Sequence, residues 1–278
     1  MKKMTKMLSV ILTVAMMAAM LVACGSSDSS DSKKSDEKTE STDSKDTIKF
    51  GTNAEFPPFE YMNDKKQPEG FDIAMIKEIG KRMGKKVEIK NMEFKSLIGA
   101  MESDSINAII AGMTKTEKRE KAVDFSDSYY TTNQAIILKK DSKITKLAQL
   151  DGKKIGVQEG TTGDLISSGD KFGDGKKAKV LVKGAKVKRF KKGVDAVMDL
   201  KNGSVDAVVI DELTANEFVK KNAKKLKIVI DSAGSEYYCI ALTKGNTAYK
   251  EEVNKQIKAI KEDGTYDKLK AKYIDSKN

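Results

Sequence analysis

Arg119 ends a stretch, AGMTKTEKR at 111–119, whose residue types and spacing suit the binding of an anion. The preceding NAIIAG is typical of a buried strand, and Thr114 with Glu117 forms a capping-box pattern that predicts the start of a helix. A helix N-terminus presents free backbone N–H groups at its positive dipole end. Thr114 adds a hydroxyl, and the planar guanidinium of Arg119 offers two parallel donors to a carboxylate. The spacing alone also fits an ordinary surface helix.

Two further stretches supply groups that complete a site. GTTGD at 160–164 follows the strand KKIGVQ and offers the hydroxyls of Thr161 and Thr162, although this pattern is also a common helix start. Asp211 ends the apolar run AVVI, where its carboxylate either caps the next helix or faces a ligand ammonium. Donors for a carboxylate and an acid for an ammonium together describe a site for a free α-amino acid.

The composition excludes several kinds of chemistry. The chain has no histidine, which excludes Ser-His or Cys-His catalysis and imidazole-based zinc sites. Cys239 is the one cysteine of the folded part, and its place in the apolar run YYCIAL predicts a buried, inert thiol. We expect no metal, no cofactor and no enzymatic activity.

The N-terminal segment predicts export. Three lysines precede the apolar run 7–23, which is typical of a signal peptide over residues 1–23 rather than a membrane span. LVAC at 21–24 resembles a bacterial lipobox, which implies lipidation of Cys24; the alternative is a plain signal peptide with an unmodified cysteine. Residues 24–46 are polar and predict a disordered tether.

The charge balance favours no nucleic-acid partner. Removing residues 1–23 subtracts three lysines and no acid, so the formal net charge falls from +11 to +8. The excess consists mainly of scattered lysines, such as KKAK at 176–179 and KKNAKK at 220–225, which are typical of solvated loops and helix ends. Association with an anionic cell surface is the more plausible consequence.

Strand-like and helical runs alternate from Thr47 onward in two series, the second starting at KKIGVQ. This alternation predicts a two-lobed α/β fold, each lobe a mostly parallel sheet flanked by helices. Residues 101–112 align without a gap on 200–211, and KFGTN at 49–53 aligns on KIGVQ at 154–158. If this repeat is not a chance likeness of buried strands, Gly112 and Asp211 end equivalent strands, as do Asn53 and Gln158. Ligands bind at such carboxyl ends in open α/β sheets.

The predicted boundaries follow from the two series. Lobe 1 comprises residues 47–133 and 242–278, and lobe 2 comprises residues 134–241 with the hinge strands. QAIILKK (134–140) and YYCIALTK (237–244) are the candidate crossing strands. Few crossings permit hinge closure around a ligand.

The sequence resembles a known family, the amino-acid-binding lipoproteins of ABC importers. These are extracellular solute-binding proteins of the polar-amino-acid group. The resemblance runs from about Ile48 to Ile274. It is carried by several motifs in order: GTNAEFPPFEY at 51–61, GFDIAMIKEIGKRMG at 70–84, AGMTKTEKR, VDFSDSYY at 123–130, GVQEGTTGD at 156–164, DAVVIDE at 206–212 and EDGTYDKL at 262–269.

The resemblance implies a monomer, lipid-anchored at the outer face of the cytoplasmic membrane, that delivers a free L-amino acid to permease subunits and their ATPase. It also implies a division of roles within the site. Arg119, Thr114 and Thr162 would grip the ligand carboxylate; Asp211 and the Gly112 carbonyl would receive the ammonium; Phe56 and Phe94 would flank the side chain. The full predicted set is Asn53, Phe56, Phe94, Ala111, Gly112, Thr114, Arg119, Gln158, Thr161, Thr162 and Asp211.

The side-chain end of the site departs from many relatives. Asn53 stands where proteins for basic amino acids often carry an acid, and Gln158 stands where an apolar residue is common. Two amides predict a polar uncharged ligand, unless Glu55 swings inward to pair with a cation. Two other functions remain open: a sensing lipoprotein without a permease, and an exported dehydratase using Glu55 or Glu159.

Overall fold

The computed structural model describes residues 46–168, 182–230 and 235–275. The predicted signal peptide, Cys24 and residues 24–45 of the tether lie outside these residues, as does the lysine cluster at 176–179. Within the described ranges, every helix is too short or too polar to be a membrane span.

The described residues form thirteen strands and eight α-helices. The strands are β1 Thr47–Thr52, β2 Glu55–Phe56, β3 Glu60–Met62, β4 Pro68–Glu69, β5 Lys86–Asn91, β6 Ala108–Ile109, β7 Val123–Thr132, β8 Gln134–Lys139, β9 Lys154–Gln158, β10 Lys186–Phe190, β11 Ala207–Asp211, β12 Leu226–Ile230 and β13 Glu236–Thr243. The helices are α1 Phe71–Arg82, α2 Leu97–Glu102, α3 Glu117–Glu120, α4 Thr162–Ser167, α5 Gly193–Asn202, α6 Glu212–Lys220, α7 Thr247–Glu262 and α8 Thr265–Tyr273.

Two five-stranded sheets form the two lobes, which confirms the predicted α/β architecture. The first sheet has the order β5-β1-β6-β13-β7 and the second the order β10-β9-β11-β8-β12. In each sheet the first three strands are parallel and the last two add antiparallel pairs, so both sheets are mixed. Helices cover the sheets; α4 and α5 pack on the second, and α7 and α8 return to the first lobe.

The internal repeat is confirmed by strand register. Phe50 of β1 pairs with Ala108 of β6, and Ile155 of β9 pairs with Ala207 of β11. These four positions are the ones that the sequence alignment superposes. The two sheets therefore share one plan, and the ends of β6 and β11 occupy equivalent places.

The chain leaves the first sheet at Asn133, between β7 and β8, and returns to it between β12 and β13. The sequence placed residues up to 241 in lobe 2, but all of β13 lies in the first sheet, because Glu236 already pairs with Thr132 of β7. The division of the chain into lobes otherwise stays a prediction.

The core of the first lobe includes one apolar face of α1. Ile76 and Ile79 on α1 are fully buried, and Met83 packs partly buried against the same cluster. Cys239 is a free, buried thiol, and burial raises its pKa to about 11. A thiol that stays protonated at neutral pH is a poor nucleophile, as the sequence predicted.

Candidate functional site

Ten of the eleven predicted ligand-binding residues line one cavity between the two sheets. They are Asn53, Phe56, Phe94, Ala111, Gly112, Thr114, Arg119, Thr161, Thr162 and Asp211. The eleventh, Gln158, contacts the cavity wall by donating a hydrogen bond to Asn53 Oδ1 (2.7 Å). The cavity measures about 10 Å³, enough for roughly one water molecule. The lobes are therefore closed on each other, and a ligand larger than water requires them to separate.

The cavity lies where the strand ends of the two sheets face each other. β1 ends at Thr52 next to Asn53, β9 ends at Gln158, and β11 ends at Asp211. Gly112 follows β6 with φ +51, a left-handed conformation that favours glycine. A Cβ at this position would lie 3.3 Å from the rings of Phe56 and Tyr238. The glycine therefore allows the backbone to approach the cavity closely.

The backbone of Gly112 is held from behind. Its N–H donates to Asp72 Oδ2 (2.8 Å), which also accepts the hydroxyl hydrogen of Tyr129 (2.7 Å). Burial raises the pKa of Asp72 to about 6, and burial with the neighbouring Asp72 raises that of Glu60 well above its usual range. Asp72, which lies beside the buried Glu60, thus holds the loop that lines the cavity at Gly112.

The predicted capping box is wrong in its details. The N-cap of α3 is Thr116, whose side chain accepts from the Arg119 N–H (3.2 Å), and the helix is a single turn. Thr114 instead forms an isolated β-bridge to Tyr238 of β13. Its hydroxyl therefore does not cap the helix; it donates instead to Glu236 Oε2 (2.7 Å).

Arg119 lies buried between the lobes, with 7% of its surface exposed. Its Nη1 donates to the Thr114 carbonyl (2.5 Å), and its Nη2 donates across the cleft to the Gly160 carbonyl (3.0 Å). The guanidinium also lies over the Phe94 ring, 5.3 Å from the centroid. Burial lowers its pKa to about 10, opposed by the charges of Glu236 and Asp211. The side chain is thus a cation at neutral pH, and the surface-helix alternative is wrong.

Asp211 occupies the N-cap position of α6, but its side chain makes no capping hydrogen bond. Its two carboxylate oxygens accept instead from Gln134 Nε2 and from the hydroxyl of Tyr238 (2.5 Å). Burial and the nearby Glu236 raise its pKa well above the ordinary value, while Tyr238 and Arg119 lower it. The carboxylate is therefore available to the cavity rather than committed to the helix.

Thr161 begins a helix, which was the alternative interpretation of the GTTGD stretch. It is the N-cap of α4, and its side chain accepts from the Asp164 N–H (3.3 Å). Its hydroxyl also donates to the Gln158 carbonyl (2.8 Å). The residue lines the cavity, but its hydroxyl is already used in shaping the turn.

Glu236 is the residue that sequence reasoning missed. It is 1% exposed, and its Oε2 accepts hydrogen bonds from Thr114 Oγ1 (2.7 Å) and Thr162 Oγ1 (2.8 Å). Burial raises its pKa, while the two hydroxyls, Gln134 and Arg119 lower it. The available signal was an acid directly before the apolar run YYCIAL. Alternation along β13 places it on the same face as Tyr238, which contacts Asp211.

The opposite end of the cavity is formed by amides and aromatic rings. Asn53 donates through Nδ2 to the Met92 carbonyl (2.8 Å) and accepts from Gln158 across the cleft. Phe56 and Phe94 are also buried in the cavity lining, Phe94 against the Arg119 guanidinium. Three ion pairs also cross between the lobes: Lys95 with Glu159 (2.8 Å), Lys191 with Glu93 (2.6 Å), and Lys192 with Glu55 (2.7 Å). Glu55 is thus paired with a lysine of the facing lobe.

Among the residues that the structure describes, the acids and the cysteine form no group of three or more suited to a metal ion. The cavity lining contains instead a buried cation, Arg119, a buried acid, Asp211, and threonine hydroxyls. Such an arrangement can neutralise both charged ends of a small zwitterion.

Several known proteins are similar to this chain in sequence and in structure. Residues 48–276 match the model of the bacterial extracellular solute-binding proteins, family 3. The arginine-binding extracellular protein ArtP of Bacillus subtilis (strain 168) is 34% identical over 227 residues, 81% of this chain and 84% of ArtP. An ancestral arginine-binding protein bound to arginine is similar with a TM-score of 0.75 and 42% identity, covering 82% of this chain and 98% of that chain. An ancestral arginine-binding protein bound to glutamine gives 0.73 and 41%, over 82% and 98%.

Proposed function

Because the chain belongs to the bacterial extracellular solute-binding proteins of family 3, we propose that it binds a free L-amino acid outside the cytoplasmic membrane and delivers it to the permease of an ABC importer. The observation that carries the proposal is that Arg119 and Asp211, two buried side chains of opposite charge, line the same cavity. Charges of opposite sign on rigid elements suit the two ends of a zwitterion. One relative is named as an arginine-binding protein, and a similar solved structure has glutamine bound; both support a free amino acid as the ligand.

Binding would follow from the geometry in two steps. The ligand enters when the lobes are apart and its carboxylate pairs with Arg119, whereas its ammonium reaches Asp211 only on closure. Closure then brings Gly160 and Thr162 of the second lobe onto the first, and the closed form is what the permease recognises. Because Arg119 and Asp211 belong to different lobes, one ligand satisfies both only in the closed form.

For the ligand side chain, we propose a preference for polar uncharged amino acids. Asn53 and Gln158 form a hydrogen-bonded amide pair at that end, and amides both donate and accept. Glu55, the acid that would favour a cationic side chain, is paired with Lys192. Arginine is the competing ligand, since it is bound by several relatives and would pair with Glu55 if that ion pair opened.

A thermal-shift screen of the free amino acids tests both the class of ligand and the preferred side chain. A ligand at about 100 times its dissociation constant adds roughly 2.7 kcal/mol to the free energy of unfolding, so a true ligand should raise Tm clearly. We expect glutamine or another neutral polar L-amino acid to give the largest shift, and its D-enantiomer to give none. A larger shift with arginine or lysine would make the side-chain assignment wrong. No shift with any amino acid would make the function itself wrong.

We also propose that a lipid on Cys24 anchors the protein at the outer face of the cytoplasmic membrane. The support is the lipobox-like LVAC followed by a polar stretch long enough to act as a tether. Cys24→Ala should release the protein from the membrane fraction, because the variant lacks the lipid that is proposed to hold it there. Cys24→Ser is a matched second substitution and should release the protein as well. Full retention of either variant in that fraction would contradict the lipid anchor.

A further inference from the structure

A buried pair of acids, Glu60 and Asp72, lies behind the ligand cavity. Neither side chain is exposed, and the two carboxyl groups are within hydrogen-bond reach of each other. Asp72 Oδ2 accepts from the Gly112 N–H (2.8 Å) and from the Tyr129 hydroxyl (2.7 Å). Among the described residues, no N–H or hydroxyl group donates to Asp72 Oδ1 or to either oxygen of Glu60. Three buried carboxyl oxygens thus lie together without a donor.

The surroundings of the pair do not neutralise two negative charges. The titratable groups whose charges act on it are Tyr129 on β7, Asp211 at the end of β11 and Tyr266 on α8. These are two phenols and an acid, and none of them brings a positive charge. Two ionised carboxylates in contact inside a protein repel each other, and both lose their hydration. A proton on one of them removes both penalties, because it cancels one charge and supplies the missing donor.

The hydrogen bonds decide which acid holds that proton. Two donors on Oδ2 stabilise the charged form of Asp72, whereas Glu60 has no N–H or hydroxyl donor from the described part of the chain. The pKa values agree with this division. Burial and the neighbouring Asp72 raise the pKa of Glu60 well above its usual range, whereas the pKa of Asp72 rises only to about 6.

We propose that Glu60 is a positioning residue that is protonated at neutral pH, donates to Asp72 and so keeps the Asp72 carboxylate in place for the Gly112 N–H. Gly112 lines the ligand cavity, whereas Glu60 is absent from the lining. Glu60 therefore acts on the site through Asp72 and Gly112. The proposal rests on the proposed amino-acid binding only for its effect on affinity, since the proton is held without a ligand.

Infrared spectroscopy detects the proton directly, because a protonated carboxyl group has a carbonyl stretching band that a carboxylate lacks. The amide of Glu60→Gln donates through its N–H where the acid would donate its proton, so the fold should be kept. We expect the parent at neutral pH to show a band that Glu60→Gln lacks. Glu102→Gln, which changes an exposed acid on α2, should keep the band. A Glu60→Gln spectrum that retains the whole band would overturn the proposal, as would a parent spectrum without one.

The pH dependence of stability gives a second measurement. Because the pKa of Glu60 is raised, the folded protein keeps this proton at a pH where the unfolded chain, with a pKa of about 4.3, has lost it. The stability from Glu60 is therefore fully present below the unfolded pKa and is lost as the pH rises towards the folded pKa. In that window the ratio of folded to unfolded molecules should fall up to about tenfold more per pH unit in the parent than in Glu60→Gln. Parallel profiles in urea unfolding would overturn the proposal.

Glu60→Leu tests positioning, because it removes the donor that Glu60→Gln keeps. We expect the NMR resonance of the Gly112 amide to move in Glu60→Leu and to stay near its parental position in Glu60→Gln. By calorimetry, affinity for the best ligand of the thermal-shift screen should fall about tenfold in Glu60→Leu, as the loss of one hydrogen bond to a charged group predicts. It should stay within about twofold of the parent in Glu60→Gln. An unmoved Gly112 resonance in Glu60→Leu would overturn the positioning role, as would parental affinity.

These measurements fail independently of the proposed function. If the parent binds no amino acid at all, the proposed function is wrong, while the infrared band, the pH profile and the Gly112 resonance still test the acid pair. Should Glu60→Leu fail to fold, the infrared band and the pH profile of Glu60→Gln still decide whether Glu60 holds the proton.

Discussion

Arg119→Ala is expected to weaken amino-acid binding by roughly 30-fold to several thousandfold. Removing one partner of a desolvated charge pair typically costs about 2–5 kcal/mol, and the Arg119 guanidinium is almost fully buried between the lobes. The same change removes the hydrogen bond that the guanidinium makes to Gly160 of the second lobe. Isothermal titration calorimetry with the best ligand of the thermal-shift screen measures the effect.

Two controls make the Arg119 result specific. Arg82→Ala removes an arginine of similar chemistry that pairs at the surface with Glu78 (2.7 Å) and Asp263 (2.7 Å), and affinity should stay at the parental value. An amino-acid amide, which lacks the carboxylate, should bind the parent weakly and lose little further affinity in Arg119→Ala. Circular dichroism should show that both variants fold. Near-parental affinity of Arg119→Ala for the free amino acid would remove this residue from the site.

The architecture was predictable because it follows from short apolar patterns along the sequence. Runs of apolar residues repeated along the chain predicted two sheets, and the gapless alignment of 101–112 on 200–211 predicted equivalent strand registers. The register pairs Phe50–Ala108 and Ile155–Ala207 confirm that equivalence. A residue at the end of a buried parallel strand lies at the cleft edge by topology alone. For that reason Gly112 and Asp211 were placed correctly without knowledge of any contact.

The hydrogen bonds inside the site were much less predictable. Thr114 and Glu117 matched a capping box, but Thr116 is two residues closer to Arg119 and takes the cap, since only its side chain reaches the Arg119 N–H. The capping-box spacing favoured Thr114, because Glu117 follows it by three residues, whereas Arg119 follows Thr116. Which one is used depends on β13, whose bridge to Thr114 holds that residue in an extended conformation.

Glu236 was missed for a related reason. Its partners Thr114 and Thr162 lie 122 and 74 residues away, so no local pattern connects them. An acid just before a strand is usually solvated, and burial of this one depends on two hydroxyls and Arg119 arriving from other elements. Contacts of this kind follow from the fold and become readable only once the two lobes are placed together.

Asp211→Asn is expected to weaken binding within the same range as Arg119→Ala, roughly 30-fold to several thousandfold, because an amide cannot neutralise a buried ligand ammonium. The substitution keeps the size of the side chain and leaves one oxygen to accept from Gln134 or Tyr238. Asp206→Asn is the matched control: Asp206 lies just before β11, at the far end of the strand, is exposed, and accepts a hydrogen bond from the Lys154 backbone N–H (2.9 Å). Its affinity should stay parental.

A ligand analogue lacking the ammonium separates the role of Asp211 in binding from a role in folding. In the parent, the analogue should bind weakly, because without the ammonium Asp211 must either stay charged without a partner or take up a proton, and burial beside Glu236 disfavours its charged form. In Asp211→Asn that penalty is relieved, so the analogue should lose no affinity and even gain some while the amino acid loses much. A purely structural role for Asp211 would weaken both ligands alike. Equal losses for the two ligands in calorimetry would therefore show that another group receives the ammonium, with Glu236 the first residue to substitute.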